Sequence, residues 1–327
     1  MSGRTQSERA LCVIGLGLIG GSLLRAAGSA GWKVRGTATS TADLNAARDA
    51  GFDVAASIED VLGAAGEALV VLAVPLPAVA DVLPVVARCA PRCRLTDVTG
   101  VKQPIAAAVA RHAPLARYVG GHPMAGTSVS GWAAGSATLF SGAPWVVGAD
   151  DGVDLGVWAQ VTQLALDCGA HVVPATAEDH DAAVARVSHL PHVLAAVLAS
   201  VGADGGPLAM ALGAGAFTDG TRVAASRPEL VRAMCEGNRS ALLDAVDDAL
   251  GRLGAARGSL ASTGALEATV RAGHLARRAF DAARGGARGD TVTVDLDAPG
   301  ALERLREIGR AGAHVTALHP PLAHLAL

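Results

Sequence analysis

The sequence predicts an α/β fold: a doubly wound, mostly parallel sheet, followed by an all-helical segment and a short strand–helix–strand tail. Three observations predict it. Over residues 11–173, short apolar runs alternate with stretches of helical spacing, and continuous apolar strands set between helices imply a parallel sheet covered on both faces. A glycine-rich turn, Gly15-Leu16-Gly17-Leu18-Ile19-Gly20, joins the first such strand to the first helix. Over residues 176–284 strand signals vanish, and Ala, Leu, Arg and Glu recur with helical spacing.

Taken in order, LCVIG, WKVRGTA, ALVVLAVP, CRLTDVT, ARYVGG, PWVVGA and HVVPA read as strands of one sheet. Residues 18–30, 41–50, 76–89, 103–112 and 155–168 carry the helical spacing between them. A polar hinge, GGARGD, leads to TVTVDL, the helix ALERLREIGRAG and the strand HVTAL. The expected divisions are residues 1–174 for the sheet domain, 175–285 for the helical domain and 286–327 for the tail.

With 327 residues, 51% hydrophobic and 17% charged, the chain can bury a sizeable core and is no solvated disordered polymer. A net charge of -3 gives no cationic footprint for nucleic acid, so no nucleic-acid partner is expected. Cys12, Cys89, Cys93, Cys168 and Cys235 are odd in number and form no C-x-x-C pair, which fits a reducing cytoplasm. The apolar stretch 11–24 after Arg4 and Arg9 has the outline of a secretory signal, but its glycines sit at spacings that a signal does not need. No membrane span is expected elsewhere.

The glycine turn has the sequence of a dinucleotide-binding fingerprint. Gly15 permits the tight turn, Gly17 lets a pyrophosphate approach the backbone, and Gly20 allows the helix to pack closely on the strand. Leu18 and Ile19 would open the helix whose free N–H groups and dipole favour phosphate. A strict NAD site would carry an acidic residue at the end of the second strand, to bind the ribose 2′-OH. Ala38 stands there instead, with hydroxyls at Thr39, Ser40 and Thr41 and with Arg35 upstream. The expected cofactor is therefore NAD or NADP. Val74 and Pro75, ending ALVVLAVP, would lie at the carboxyl edge of the sheet where such ligands bind.

Two polar segments, Asp97-Val98-Thr99-Gly100-Val101-Lys102 and Gly120-Gly121-His122-Pro123-Met124-Ala125-Gly126-Thr127, are expected at the same edge. Two more, Ser188-His189-Leu190-Pro191-His192 and Phe217-Thr218-Asp219-Gly220-Thr221-Arg222, fall in the helical half. Each alone has an ordinary structural explanation, such as a hydrogen-bonded turn histidine or a surface ion pair between Asp219 and Arg222.

Together, GLGLIGGS, AVPL, DVTGVK, GGHPMAGT, SHLPH and FTDGTR followed by RPELVRAMCEGNR resemble the prephenate dehydrogenase family, with its arogenate and cyclohexadienyl relatives in tyrosine biosynthesis, over about residues 10–280. The resemblance implies a Rossmann domain and a helical domain that intertwines with its copy in a homodimer. It implies an oxidation of the substrate's ring alcohol by hydride transfer, with loss of CO2 to give an aromatic ring. By motif, His122 matches the catalytic histidine that contacts the ring hydroxyl, His189 a histidine of the active-site helix, and Arg222 the arginine that binds a carboxylate.

A neutral imidazole suits removal of the hydroxyl proton, and a guanidinium clamps a carboxylate in a bidentate way that lysine cannot match. Thr99, Lys102, Thr127, His192 and Asp219 are expected near the substrate, with a solvated or structural role equally open to Lys102 and a core position favoured for His192, and Asp97 is expected near the cofactor. Two departures stand out: Gly100 where the family often has serine, and Val231 where a tryptophan is common. No metal site is expected, since His189 and His192 lack further ligands in sequence.

In the tail, Asp297-Ala298-Pro299-Gly300-Ala301-Leu302 resembles the turn of an ACT regulatory domain, of which the chain carries about the first half. A lone strand–helix–strand leaves unpaired edges, so a remnant or a strand pairing between subunits is expected. The rival readings are an arogenate dehydrogenase, a hydroxy-acid dehydrogenase with a catalytic lysine on its helical domain, and a nicotinamide-binding sensor without turnover. Residues 176–284 contain no lysine, which disfavours the second.

Overall fold

The computed structural model describes residues 9–127, 129–285 and 291–326. They group into two compact units. The first comprises 9–181, 226–237 and 291–326, and the second 182–225 and 238–285. This grouping departs from a division taken in sequence order: the tail and the helix Pro228–Gly237 both cluster with the sheet domain.

The first unit holds two six-stranded sheets. In sheet one, β1 (Ala10–Ile14), β2 (Lys33–Thr37), β3 (Asp53–Val54), β4 (Leu69–Leu72), β5 (Arg94–Asp97) and β6 (Arg117–Val119) run parallel in the order β3-β2-β1-β4-β5-β6. Strand order reverses between β1 and β4, which opens a crevice at their carboxyl ends. The apolar runs are continuous because both faces are covered. Leu11, Val13, Leu69 and Val71 enter one core, while Cys12, Ile14, Val70 and Leu72, offset by one residue, enter the other.

Sheet two departs from the expectation of a single sheet. β7 (Gly121–Pro123), β8 (Pro144–Gly148), β9 (His171–Ala175), β10 (Thr291–Asp295), β11 (His314–His319) and β12 (Leu322–Ala326) lie in the order β10-β12-β11-β9-β8-β7. ARYVGG, read as one strand, is split: β6 ends in sheet one and β7 begins in sheet two. PWVVGA and HVVPA pair in sheet two rather than extending the parallel sheet. The switch needs glycine, because a Cβ on Gly121 would stand 2.5 Å from the Asp97 carbonyl oxygen.

The tail carries one strand more than expected. β11 pairs antiparallel with β9 and β12 with both β11 and β10, so the tail extends sheet two of its own chain. Its helix, Ala301–Arg310, lies so close to β9 that a Cβ on Gly309 would meet the Pro174 carbonyl oxygen at 1.9 Å.

The second unit is helical throughout its regular elements, with Leu190–Asp204, Arg239–Ser262 and Glu267–Gly285 the longest. A π turn, Ala185–His189, precedes the first of these, and the Leu190 N–H reaches back five residues to the Ala185 carbonyl. Pro191 has no N–H to continue the regular ladder, which accounts for the irregularity at this point. Leu194, Val197, Val201, Leu250, Leu253 and Leu260 are exposed on these helices.

Candidate active site

The glycine turn adopts the geometry that its sequence requires. Gly15 has φ +105°, and a Cβ there would stand 2.5 Å from the Ala73 carbonyl at the end of β4. A Cβ on Gly20 would fall 1.8 Å from the Gly15 carbonyl, whereas one on Gly17 would meet nothing within 4 Å. Gly17 caps the helix Leu18–Ser29 with no side chain, so its first amides face an open cradle suited to a pyrophosphate. These residues fit a dinucleotide, with Leu18 and Ile19 in the first turn and Val74 and Pro75 at the end of β4 beside Gly15.

At the end of β2, Ser40 caps the helix Thr41–Asp49 by accepting the Asp43 amide at 3.2 Å. Asp43 accepts the Trp132 amide at 3.1 Å, which ties it to a neighbouring loop. Arg35 lies within β2, 3.5 Å from Asp53 on β3, and is not at the strand end. Thr39 is exposed just past the strand.

Asp97, Thr99 and Lys102 bond to one another at the end of β5 and just past it. All three are buried. One Asp97 oxygen accepts the Thr99 amide at 2.9 Å, the Thr99 hydroxyl and the Lys102 ammonium. The other accepts the Tyr118 hydroxyl at 2.7 Å and the Gly121 amide at 3.2 Å. Lys102 also donates to the Gly121 carbonyl at 2.6 Å. Burial pulls the Lys102 ammonium below its ordinary pKa, and Asp97 resists that pull. Burial, with Asp97 as acceptor, pushes the Tyr118 phenol well above its usual range. Their polar atoms bind one another and clamp the β6–β7 switch, because ions buried this deeply must be paired.

His122 follows directly from that switch, on β7. Its Nδ1 lies 2.8 Å from His180 Nε2, with the two rings edge to face and 5.0 Å apart. His180 Nδ1 in turn lies 2.7 Å from Asp181 Oδ1, and both side chains are 1% exposed. Asp181 accepts the Lys102 and Gln103 amides at 2.8 and 2.9 Å, where the helix Gln103–His112 begins. Burial pushes the Asp181 carboxyl up, but the hydrogen bonds from His180 and these amides outweigh it and hold the pKa below its ordinary value. On the other side of His122, a Cβ on Gly100 would stand 3.8 Å from Nε2 and 3.9 Å from Met234 Cγ.

Thr127 is exposed and donates to the Val129 carbonyl at 3.0 Å. In the helical unit, His189 is buried with its Nδ1 3.2 Å from the Asn238 amide nitrogen. His192 Nδ1 lies 2.8 Å from the Ser188 carbonyl, one turn back on the same helix. Asp219 and Arg222 are exposed in and just after the helix Gly215–Thr221.

Sequence reasoning missed His180, Asp181, Tyr118 and Asn238. The segment AEDHDAAV begins a helix, with Glu178 exposed and His180 buried. The only local hint was the adjacency of a histidine and an aspartate eight residues before SHLPH.

Comparison with known proteins gives two family models. One described as the nucleotide-binding domain of prephenate dehydrogenase matches residues 21–174, and one described as its dimerization domain matches 176–267. A prephenate dehydrogenase of Bacillus subtilis is 31% identical over 74% of this chain and 68% of its own length. A solved structure of a candidate prephenate dehydrogenase from Corynebacterium glutamicum is 43% identical, with a TM-score of 0.88 over 94% of this chain and 98% of that one. The arogenate dehydrogenase of Synechocystis is 28% identical, with a TM-score of 0.72 over 83% and 99%.

Proposed function

Because the chain belongs to the prephenate dehydrogenase family, we propose that it oxidises prephenate to 4-hydroxyphenylpyruvate and CO2 with a nicotinamide dinucleotide, in tyrosine biosynthesis. The observation that carries this reading is His122, set at the start of sheet two by the buried Asp97–Lys102 clamp, with Nδ1 bonded inward and Nε2 next to Gly100. Bound in the Gly15–Gly20 cradle, the cofactor supplies a hydride acceptor. His122 takes the ring-hydroxyl proton as the C–H bond breaks, which is a task for an imidazole that titrates near neutrality. Arg222 binds a substrate carboxylate through its fork of donors, and His189 acts with it on the substrate. Thr127, His192 and Asp219 complete the proposed substrate surroundings.

Ala38 at the end of β2 leaves no carboxylate there to repel a 2′-phosphate, and Ser40 and Asp43 are engaged elsewhere. This supports use of either NAD or NADP, with Thr39 nearest the ribose. Arogenate in place of prephenate is the second reading, favoured by the similarity to the Synechocystis enzyme. A homodimer follows from the exposed Leu194, Val197, Val201, Leu250, Leu253 and Leu260, since apolar faces of this extent are buried by a partner in oligomers. The helical run Ala177–Asp204 is long and apolar enough to cross a membrane, and we assign its exposed apolar residues to that second copy. Five unpaired cysteines fit a cytoplasmic setting.

The test is an assay of the purified chain with prephenate and with arogenate, each with NAD+ and NADP+, read by nicotinamide absorbance. Prephenate with at least one cofactor is expected to turn over, His122→Asn to lower kcat by about 10²- to 10⁴-fold, and Arg222→Lys to raise KM. Tight cofactor binding without turnover of either substrate would instead make the chain a sensor.

A further inference from the structure

We propose that His180 and Asp181 are positioning residues that set the tautomer of His122 and carry its positive charge away from the substrate. This rests on the reading of His122 as the base. Its observations are the two short contacts, the 1% exposure of both His180 and Asp181, and the two amides that fix Asp181 at a helix start.

The donor directions follow from one end of the chain. The Asp181 carboxylate can only accept. His180 must therefore carry its proton on Nδ1, and when neutral it presents a lone pair at Nε2. His122 must then donate from Nδ1, which leaves the lone pair of the neutral ring on Nε2, the nitrogen next to Gly100. A ring in the other tautomer would present an N–H there and could take no proton.

When His122 Nε2 takes the substrate's hydroxyl proton, the ring becomes an imidazolium. Its Nδ1 proton can pass to His180 Nε2, so that His180 becomes the cation, bonded to Asp181, and His122 is again neutral. The proton count is conserved, and hydride transfer needs no acceptor beyond the dinucleotide of the established family. Deep burial makes the carboxylate's attraction stronger than it would be in water.

Ionisable groups near this chain include Asp97, Lys102, Tyr118 and Asp150. They stay the same in every variant below, so a change in the pH profile reports on the chain itself.

Three variants test the idea: His180→Phe, which keeps a ring and removes the acceptor; His180→Gln, whose amide can accept from His122 and donate to Asp181; and Asp181→Asn, which removes the negative charge. Thermal melts and binding of reduced cofactor by fluorescence identify the folded variants. His180→Phe is expected to lose about 100-fold in kcat, within the range for a general base, with KM for prephenate changed less than about threefold. His180→Gln is expected to recover most of that loss. In Asp181→Asn the acidic limb of kcat/KM should move to lower pH, because the carboxylate that favours the imidazolium is gone.

A folded His180→Phe with the parental kcat and pH profile would overturn the proposal, as would a His180→Gln no better than His180→Phe. Should His180→Phe fail to fold, the pH shift in Asp181→Asn decides alone. A His122→Asn variant run alongside separates the two levels: if it keeps full kcat, the base assignment itself fails, and if it loses kcat while His180→Phe does not, only the positioning role fails.

Discussion

Replacing Lys102 with methionine separates a structural ammonium from a substrate contact. The Lys102 side chain is 3% exposed and that of Asp97 0%, so methionine fills the stem's space but leaves a buried carboxylate without its counter-ion. Removing one partner of a buried pair costs about 3–5 kcal/mol. Asp97 keeps four other donors, from the Thr99 amide and hydroxyl, Tyr118 and Gly121, which places the expectation near the lower end, about 3 kcal/mol. For a unit of this size, roughly 2–4 °C of Tm accompany each kcal/mol, so the melt should fall by on the order of 10 °C. Adding Asp97→Asn to Lys102→Met removes the stranded charge and should restore part of that loss, as a coupling energy above about 1 kcal/mol in the double-mutant cycle. Calorimetry on the four proteins gives both numbers. A Lys102→Met protein with an unchanged melt and a KM for prephenate raised tenfold would refute the clamp and return Lys102 to the substrate site.

Gly100→Ser should fold normally, with less than about 1 kcal/mol lost in a denaturant melt, since its Cβ would make only ordinary contacts at 3.8 and 3.9 Å; a loss of the size of overpacking, about 1–3 kcal/mol, would show that the space is not there. Gly309→Ala should destabilise the chain by more than about 1 kcal/mol, although helix propensity alone favours alanine by roughly 1 kcal/mol, because the new methyl would strike the Pro174 carbonyl. The sign of the Tm change decides. His171 on β9 and His314 on β11 have rings 4.6 Å apart. Burial lowers the pKa of both, and His314 lowers that of His171 further. The unfolded chain therefore binds more protons between these lowered values and about 6.5, and stability must fall as pH drops through that window. Melts from pH 7.5 to 5 should show the decline, and His314→Asn should flatten it.

The sequence by itself determined strands β1, β2, β4, β5 and β6 of the parallel sheet and the cofactor turn, while the two-residue β3 went unread. Unbroken apolar runs such as Leu69–Leu72 carry the burial of both faces in their composition. The glycine spacing likewise shows locally, with Gly20 against the Gly15 carbonyl, although the close approach at Gly15 comes from the distant Ala73 carbonyl. The strings GGHPMAGT and SHLPH likewise pointed to His122 and His189 through resemblance. What surrounds those residues was decided only by the tertiary structure. A strand pattern does not say which sheet it joins, so the division of ARYVGG at Gly120 and the annealing of the tail onto β9 depended on pairing between residues far apart in sequence. Nor does a polar residue announce its own burial. DVTGVK closes on the buried Asp97, and AEDHDAAV, which carries only helical spacing in the sequence, delivers His180 to His122 across 58 residues. Desolvation, which depends on every neighbour at once, turned those ordinary polar residues into a clamp and a hydrogen-bonded chain.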